Sequence, residues 1–122
     1  MLPKCVTSIL PESVTFILLL TMPEFEWDEE KNRKNTKKHK VNFEEAKTVF
    51  DDPDSIEFEA TRNDEYRIIR IGKTATKFIL LVVYTLRGLA VRLISARQAN
   101  KDERNLYIEE KFKNQDDESF NS

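Results

Sequence analysis

The sequence predicts an α+β domain in which two N-terminal helices and a C-terminal helix pack on an antiparallel sheet. Two helix-capping patterns lie between Asp28 and Glu45. Four stretches of strand composition follow between Ile56 and Arg97, and a third capping pattern begins at Asn100. A chain of 122 residues accommodates one such domain with tails. The element order is β-α-α-β-β-β-β-α, and the helices are expected on one face of the sheet.

Pro23 to Trp27 reads as an extended arm ending in an aromatic residue that enters the core. Asp28 is a suitable N-cap, Glu29 and Glu30 fill the first turn, and lysines fill the last turns. That polarity complements the helix dipole and places the first helix at about 29–39. Asn42-Phe43-Glu44-Glu45 is a capping box, and Phe43, Ala46, Val49 and Phe50 form the apolar stripe of a short second helix. Asp51-Asp52-Pro53 ends it.

Ile56–Ala60 is short and acidic, as an edge strand would be. Glu65–Gly72 is a longer strand. Lys77–Thr85 is apolar at successive positions and is expected at the sheet centre. Read as a three-residue loop, Leu86-Arg87-Gly88 pairs Thr85 with Leu89, Tyr84 with Ala90 and Val82 with Arg92. Tyr84 and Arg92 are then diagonal neighbours on one face, whereas a two-residue turn separates them. Leu89–Arg97 returns antiparallel, and Asn100-Lys101-Asp102-Glu103 opens a last helix to about Lys113.

Three segments follow from this reading. Residues 22–113 form the domain. Residues 114–122 are an acidic tail expected to be disordered. Residues 1–21 are read as lying upstream of a true start at Met22, a short strand or anchor being the alternative. The apolar run Val14–Leu20 is well short of the ~20 residues of a membrane-spanning helix, and no membrane association is expected.

The formal net charge of −2 hides a partition. Lys31 to Lys40 holds six Lys/Arg and the single histidine, His39, with no acid. Asp51, Asp52, Asp54, Glu57 and Glu59 form an acidic stretch, and Asp116-Asp117-Glu118 load the C-terminus. Such a partition is compatible with a basic face that binds a phosphate backbone, and equally with solvated helix faces. One cysteine and one histidine rule out an internal disulfide and a Cys- or His-based metal centre. There is no Gly-rich phosphate loop and no Gly-x-Ser-x-Gly elbow. No paired carboxylates adjoin the basic run, which disfavours a Mg²⁺ nuclease. No cofactor is expected.

Lys31, Asn35, Lys38 and His39 share one helical face. Its imidazole can accept a proton near neutral pH, or can simply cap the helix C-terminus. Arg67 alternates in phase with Ile69 and Ile71, so it must snorkel, pair with a carboxylate or line a cleft. Ser95 and Arg97 have the opposite strand parity to Arg92, so the two arginines meet only if the strand bulges or ends near Ser95. Metal-free RNA cleavage needs a base for the 2′-OH, cations on the phosphorane and an acid for the leaving oxygen. His39, Arg67, Tyr84 and Arg92, with Lys31 and Lys38, supply every type.

Residues 22–110 resemble the BrnT family, the ribonuclease toxins of type II toxin–antitoxin pairs. The resemblance is carried by Phe25-Glu26-Trp27-Asp28, Lys31, Asn35, Lys38-His39, Val41 to Ala46, and Val49-Phe50-Asp52-Pro53. It continues through Glu65, Arg67, Ile71-Gly72, Leu81 to Thr85, Arg92 to Ala99, Glu103-Arg104 and Tyr107. It implies a RelE-like fold and a cytoplasmic endoribonuclease that blocks translation. It further implies neutralisation by a BrnA-type ribbon-helix-helix antitoxin, with operator DNA reached only through that partner. Read with it, His39, Arg67, Tyr84 and Arg92 are the candidate catalytic residues, and Lys31, Lys38, Ser95 and Arg97 the candidate RNA-binding residues. Ser95 and Arg97 holding the end of the sheet is an equal alternative. Lys40 stands where the family commonly has Gly, and Leu86 where an acid is common. The runner-up reading is an inactive relative that binds antitoxin as a co-repressor, and a purely structural basic domain is the third.

Overall fold

The computed structural model describes residues 24–121, with side chains as far as Lys113. The expectations for residues 1–21 lie outside the described residues. In chain order the elements are β1 (Glu24–Glu26), α1 (Glu29–His39), α2 (Phe43–Ala46), a 3₁₀ turn (Lys47–Asp51), β2 (Ile56–Glu59), β3 (Ile68–Lys73), β4 (Ile79–Arg87), β5 (Ala90–Gln98) and α3 (Lys101–Asn121). The final helix thus runs past Lys113, where the sequence reading ends it. No helix among the described residues is long and apolar enough to cross a membrane.

The five strands are ordered β1-β5-β4-β3-β2, with β4 at the centre as its continuous apolar run predicts. All pairings are antiparallel except β1 with β5, which is parallel and sets Glu26 beside Arg92. Alternation along β4 separates two cores. Leu80, Val82 and Tyr84 join Val41, Phe43, Ala46, Val49, Ile68, Val91, Leu93 and Ala96 under α1 and α2. Leu81, with Ile79 and Val83 beside it, faces the other way toward Ile71 and Tyr107 of α3. The helices therefore cover both faces, not one: a strand apolar at successive positions needs cover on each side.

The caps form as the residue types dictate. Asp28 accepts from the Glu30 N–H at 2.8 Å and Asn42 from the Glu45 N–H at 2.8 Å. The Glu45 side chain does not complete that box but accepts from the Thr76 hydroxyl, pinning α2 to the β3–β4 loop. At α3 the box closes both ways, Asn100 and Glu103 each accepting from the other's backbone. Asn35, on the polar face of α1, is buried. Its amide donates to the carbonyls of Val41 and Ala96 and accepts from the Ala96 N–H, docking α1 on β5 beyond the end of β1. Trp27 meets Phe43 edge-to-face at 5.9 Å, half-buried at the entry to α1.

The β4–β5 hairpin departs from the expected register. Its turn is the two residues Gly88 and Leu89, with Gly88 at φ +62° in the position that a type II′ turn reserves for glycine. Arg87 pairs with Ala90, Thr85 with Arg92 and Tyr84 with Leu93. Tyr84 and Arg92 consequently lie on opposite faces, as a two-residue turn requires. Past Tyr84 the register shifts, so that Val83 pairs with Ser95 and Ile94 is the extra residue of a bulge. The third strand also begins later than expected, because Arg62 to Glu65 close a tight turn with Asn63 and Asp64 both at positive φ.

Candidate active site

Helix α3 crosses only one end of its sheet face. Glu103 holds Arg97 of β5, Tyr107 packs on Ile71 and Leu81, and Lys111 lies 3.7 Å from Asp54 ahead of β2. Toward the hairpin end the same face carries a cross-strand row. Glu26 of β1 sits beside Arg92 of β5, and Arg92 pairs with Thr85 of β4. Continuing the β3–β4 register by one residue sets Thr85 beside Arg67. Two arginines thus flank a threonine, with their Cα atoms about 10 Å apart at the usual strand spacing. Their side chains are about a third exposed, at 31% for Arg67 and 32% for Arg92.

Both guanidinium groups are held. Arg92 donates to Glu26 at 2.8 Å, and Arg87 reaches the same oxygen at 3.3 Å. The Arg92 hydrogen bond, with Arg87 assisting, lowers the Glu26 pKa below the ordinary carboxylate range against a smaller opposing effect of burial. Arg67 donates to Glu65 at 2.6 Å while its buried Nε has no hydrogen-bond partner among the described residues. The Thr85 hydroxyl donates to the Tyr66 carbonyl at 2.9 Å, fixing the strand segment that carries Arg67. The sequence reading finds no carboxylate pair near the cations. The fold brings two acids to them singly, from β1 and from the turn before β3.

Across the sheet, Tyr84 is 3% exposed and donates to Glu57 at 3.1 Å. Glu57 also takes a 2.6 Å bond from Arg70, whose guanidinium lies over the Phe50 ring at 4.7 Å. Burial pushes the Tyr84 phenol up to about 12. Glu57 is the shared acceptor of this polar network, in which Tyr84 is one donor, and the sheet separates it from the arginine row.

A family model described as ribonuclease toxin, BrnT, of type II toxin-antitoxin system matches residues 27–103, which contain Arg67, Thr85, Arg92 and most of both cores. The chain belongs to the BrnT family. In fold it is similar to the crystal structure of the Brucella abortus ribonuclease toxin, BrnT, with a TM-score of 0.53 and 26% identity, over 66% of this chain and 100% of that one. No curated protein matches it. As a BrnT-family toxin of a type II system, the chain has a protein antitoxin as its partner.

Of the residues singled out from sequence, the BrnT fold brings Arg67 and Arg92 into one row and leaves others apart. Ser95 is half-buried opposite Val83, on the same face as Arg92 once the bulge is passed. Arg97 is forked onto Glu103 through two bonds of 2.8 Å, which raises its pKa and lowers that of Glu103. Lys31 and Lys38 are exposed on α1, and His39 is half-buried at its end, with no hydrogen bond or ion pair to the arginine row. Lys40 takes the left-handed conformation at φ 62°, ψ 25° and donates its N–H to Thr36, so the glycine-type C-cap forms without glycine. Sequence reasoning missed Glu26 as a site residue. Its place beside Arg92 depends on a parallel pairing between strands more than 60 residues apart, for which no local pattern exists.

Proposed function

We propose that this BrnT-family chain is a metal-independent endoribonuclease of the cytoplasm, blocks translation by cutting RNA, and is neutralised by a BrnA-type antitoxin. The observation that carries the reading is the row of Arg67, Thr85 and Arg92 on the part of the sheet face that α3 does not cross. Two guanidinium groups at that spacing can grip a phosphodiester from both sides and neutralise the charge that grows on its oxygens during displacement. A phosphate entering the row shares the guanidinium groups with the carboxylates of Glu26 and Glu65, which order the arginines before substrate arrives. Lys31 and Lys38, exposed on α1, add cationic surface for the flanking backbone.

A second reading is favoured by those same ion pairs. If Glu26 and Glu65 hold the arginines too firmly for RNA to displace them, the chain is an inactive partner that still binds antitoxin. Incubation of the purified chain with single-stranded RNA separates the two. The enzyme cleaves, and Arg92→Ala loses cleavage while keeping its circular dichroism and its antitoxin complex. An unsubstituted chain that binds antitoxin and leaves RNA intact supports the inactive partner.

A further inference from the structure

Glu26 is the acid nearest the arginine row that the fold, not the local sequence, supplies. It ends β1, one residue before the span matched to the BrnT family. Its neighbour Phe25 turns into the α1-side core, packing on Phe50 at 5.1 Å, so strand alternation sends Glu26 to the opposite face with Arg92. One of its oxygens, Oε2, takes both arginine bonds, at 2.8 and 3.3 Å. The other, Oε1, has no hydrogen bond among the described residues, and the side chain remains 37% exposed. The carboxylate is thus fixed at one end and open at the other, next to the guanidinium that would hold phosphate.

We propose that the Glu26 carboxylate is the base that removes the 2′-hydroxyl proton in RNA cleavage. This rests on the endoribonuclease reading above. Glu26 Oε1 takes the proton, the 2′-oxygen forms a bond to the adjacent phosphorus, and the bond from phosphorus to the 5′-oxygen breaks. The 5′-oxygen leaves with its electron pair and takes a proton from water, giving a 2′,3′-cyclic phosphate and a 5′-hydroxyl. Glu26 returns its proton to solvent. Arg92 links the two halves of the event, because the same guanidinium bonds the base and faces the phosphate row. As phosphate draws Arg92 toward itself, the carboxylate loses part of its positive partner and becomes a stronger base when substrate is present.

The charged groups facing Glu26 are Arg92 on β5, Arg87 on β4 and, two residues back on its own strand, Glu24. The two arginines outweigh the one acid and hold the carboxylate ionised to below the ordinary range. A carboxylate base therefore stays competent as pH falls through 6, where an imidazole base with its ordinary pKa of about 6.5 would be losing activity.

The test is single-turnover cleavage of a short RNA from pH 4 to 8 by the unsubstituted chain and by Glu26→Gln and Glu26→Asp, with melting curves for each. The expected profile for the unsubstituted chain is flat down to about pH 5 and falls below it. Glu26→Gln should lose about a hundredfold or more in rate with little change in RNA affinity, and Glu26→Asp should regain part of the loss. A Gln variant that folds and cleaves at the original rate, or faster because Arg92 has been released, overturns the role of Glu26 and leaves the ribonuclease reading standing. A profile of the unsubstituted chain that falls between pH 7 and 6 points to an imidazole and also overturns it. If the Gln variant is unfolded, the Asp variant and that profile decide. No cleavage by the unsubstituted chain overturns both readings together.

Discussion

Arg92 and Arg97 project from the same face of the sheet although they lie five positions apart, an odd offset, on one strand. In a regular strand they would point to opposite sides. The extra residue Ile94 resets the alternation between Leu93 and Ser95. Arg92 is thereby left for the open end of the face, while Arg97 reaches the first turn of α3 and forks onto Glu103.

That fork yields a pH-dependent contribution to stability. Glu103 has a lowered pKa, first because of the Arg97 hydrogen bond. A depressed carboxylate stabilises the fold above its unfolded pKa, and the contribution is lost as pH falls through the folded value. Glu103→Gln should cost about 1 kcal/mol at pH 7, a modest figure because Arg97 is 39% exposed and water screens the pair. Denaturant unfolding at pH 7 and at pH 3 checks this, and the gap between variant and original chain should narrow at the lower pH.

Lys40 holds the C-terminal cap of α1 at φ 62°. A side chain in the left-handed region costs roughly 1 kcal/mol relative to glycine. Lys40→Gly should therefore raise stability by about that amount, offset in part by the added freedom of glycine in the unfolded chain. An unchanged or lowered unfolding midpoint would show that the cap is not strained.

Most of the secondary structure was legible in the sequence because it is written in local chemistry. Asp28, Asn42 and Asn100 each cap the helix that their spacing predicts, and the apolar run of β4 lies at the centre of the sheet. The site was legible only in part. Arg67 stood out as a charge at the end of an apolar strand face, and Arg92 as a charge within one. What joins them is the register of the β4–β5 hairpin, and that turned on one residue of loop length. Counting Arg87 as loop makes Tyr84 a diagonal neighbour of Arg92 on one face, whereas pairing Arg87 with Ala90 sets Thr85 opposite Arg92 and sends Tyr84 to the core. Asn35 was hidden for a different reason. A buried amide that bonds a distant strand looks, in sequence, like any polar helix residue.

Tyr84→Phe should leave RNA cleavage within about twofold of the original rate. The phenol lies across the sheet from the arginine row, and its pKa of about 12 keeps it protonated at neutral pH. Its hydroxyl serves Glu57, so the loss should appear in stability, at roughly 1.5–3 kcal/mol for one hydrogen bond to a charged partner. A folded Phe variant that no longer cleaves would return Tyr84 to the mechanism.

Cleavage should need a free 2′-hydroxyl at the cut and should survive removal of divalent cations. The acids near the row, Glu26 and Glu65, each pair with an arginine, and Glu26 is shared by two. Carboxylates already neutralised by guanidinium are poor ligands for Mg²⁺, which binds through anionic oxygen. In the proposed mechanism the charge that develops on phosphate is met by Arg67 and Arg92, and the nearest nucleophile is the ribose hydroxyl beside it. Products should carry 2′,3′-cyclic phosphate and 5′-hydroxyl ends, and EDTA should leave the rate within about twofold. Rising salt should weaken RNA binding as counterions compete for the cationic row and for the α1 lysines. An RNA with a single 2′-deoxy residue at the cut gives the sharpest measurement. It should bind as the all-ribose strand does and remain whole; cleavage of that strand would show that water, not ribose, attacks the phosphorus, and arrest by EDTA would show that a divalent cation takes part.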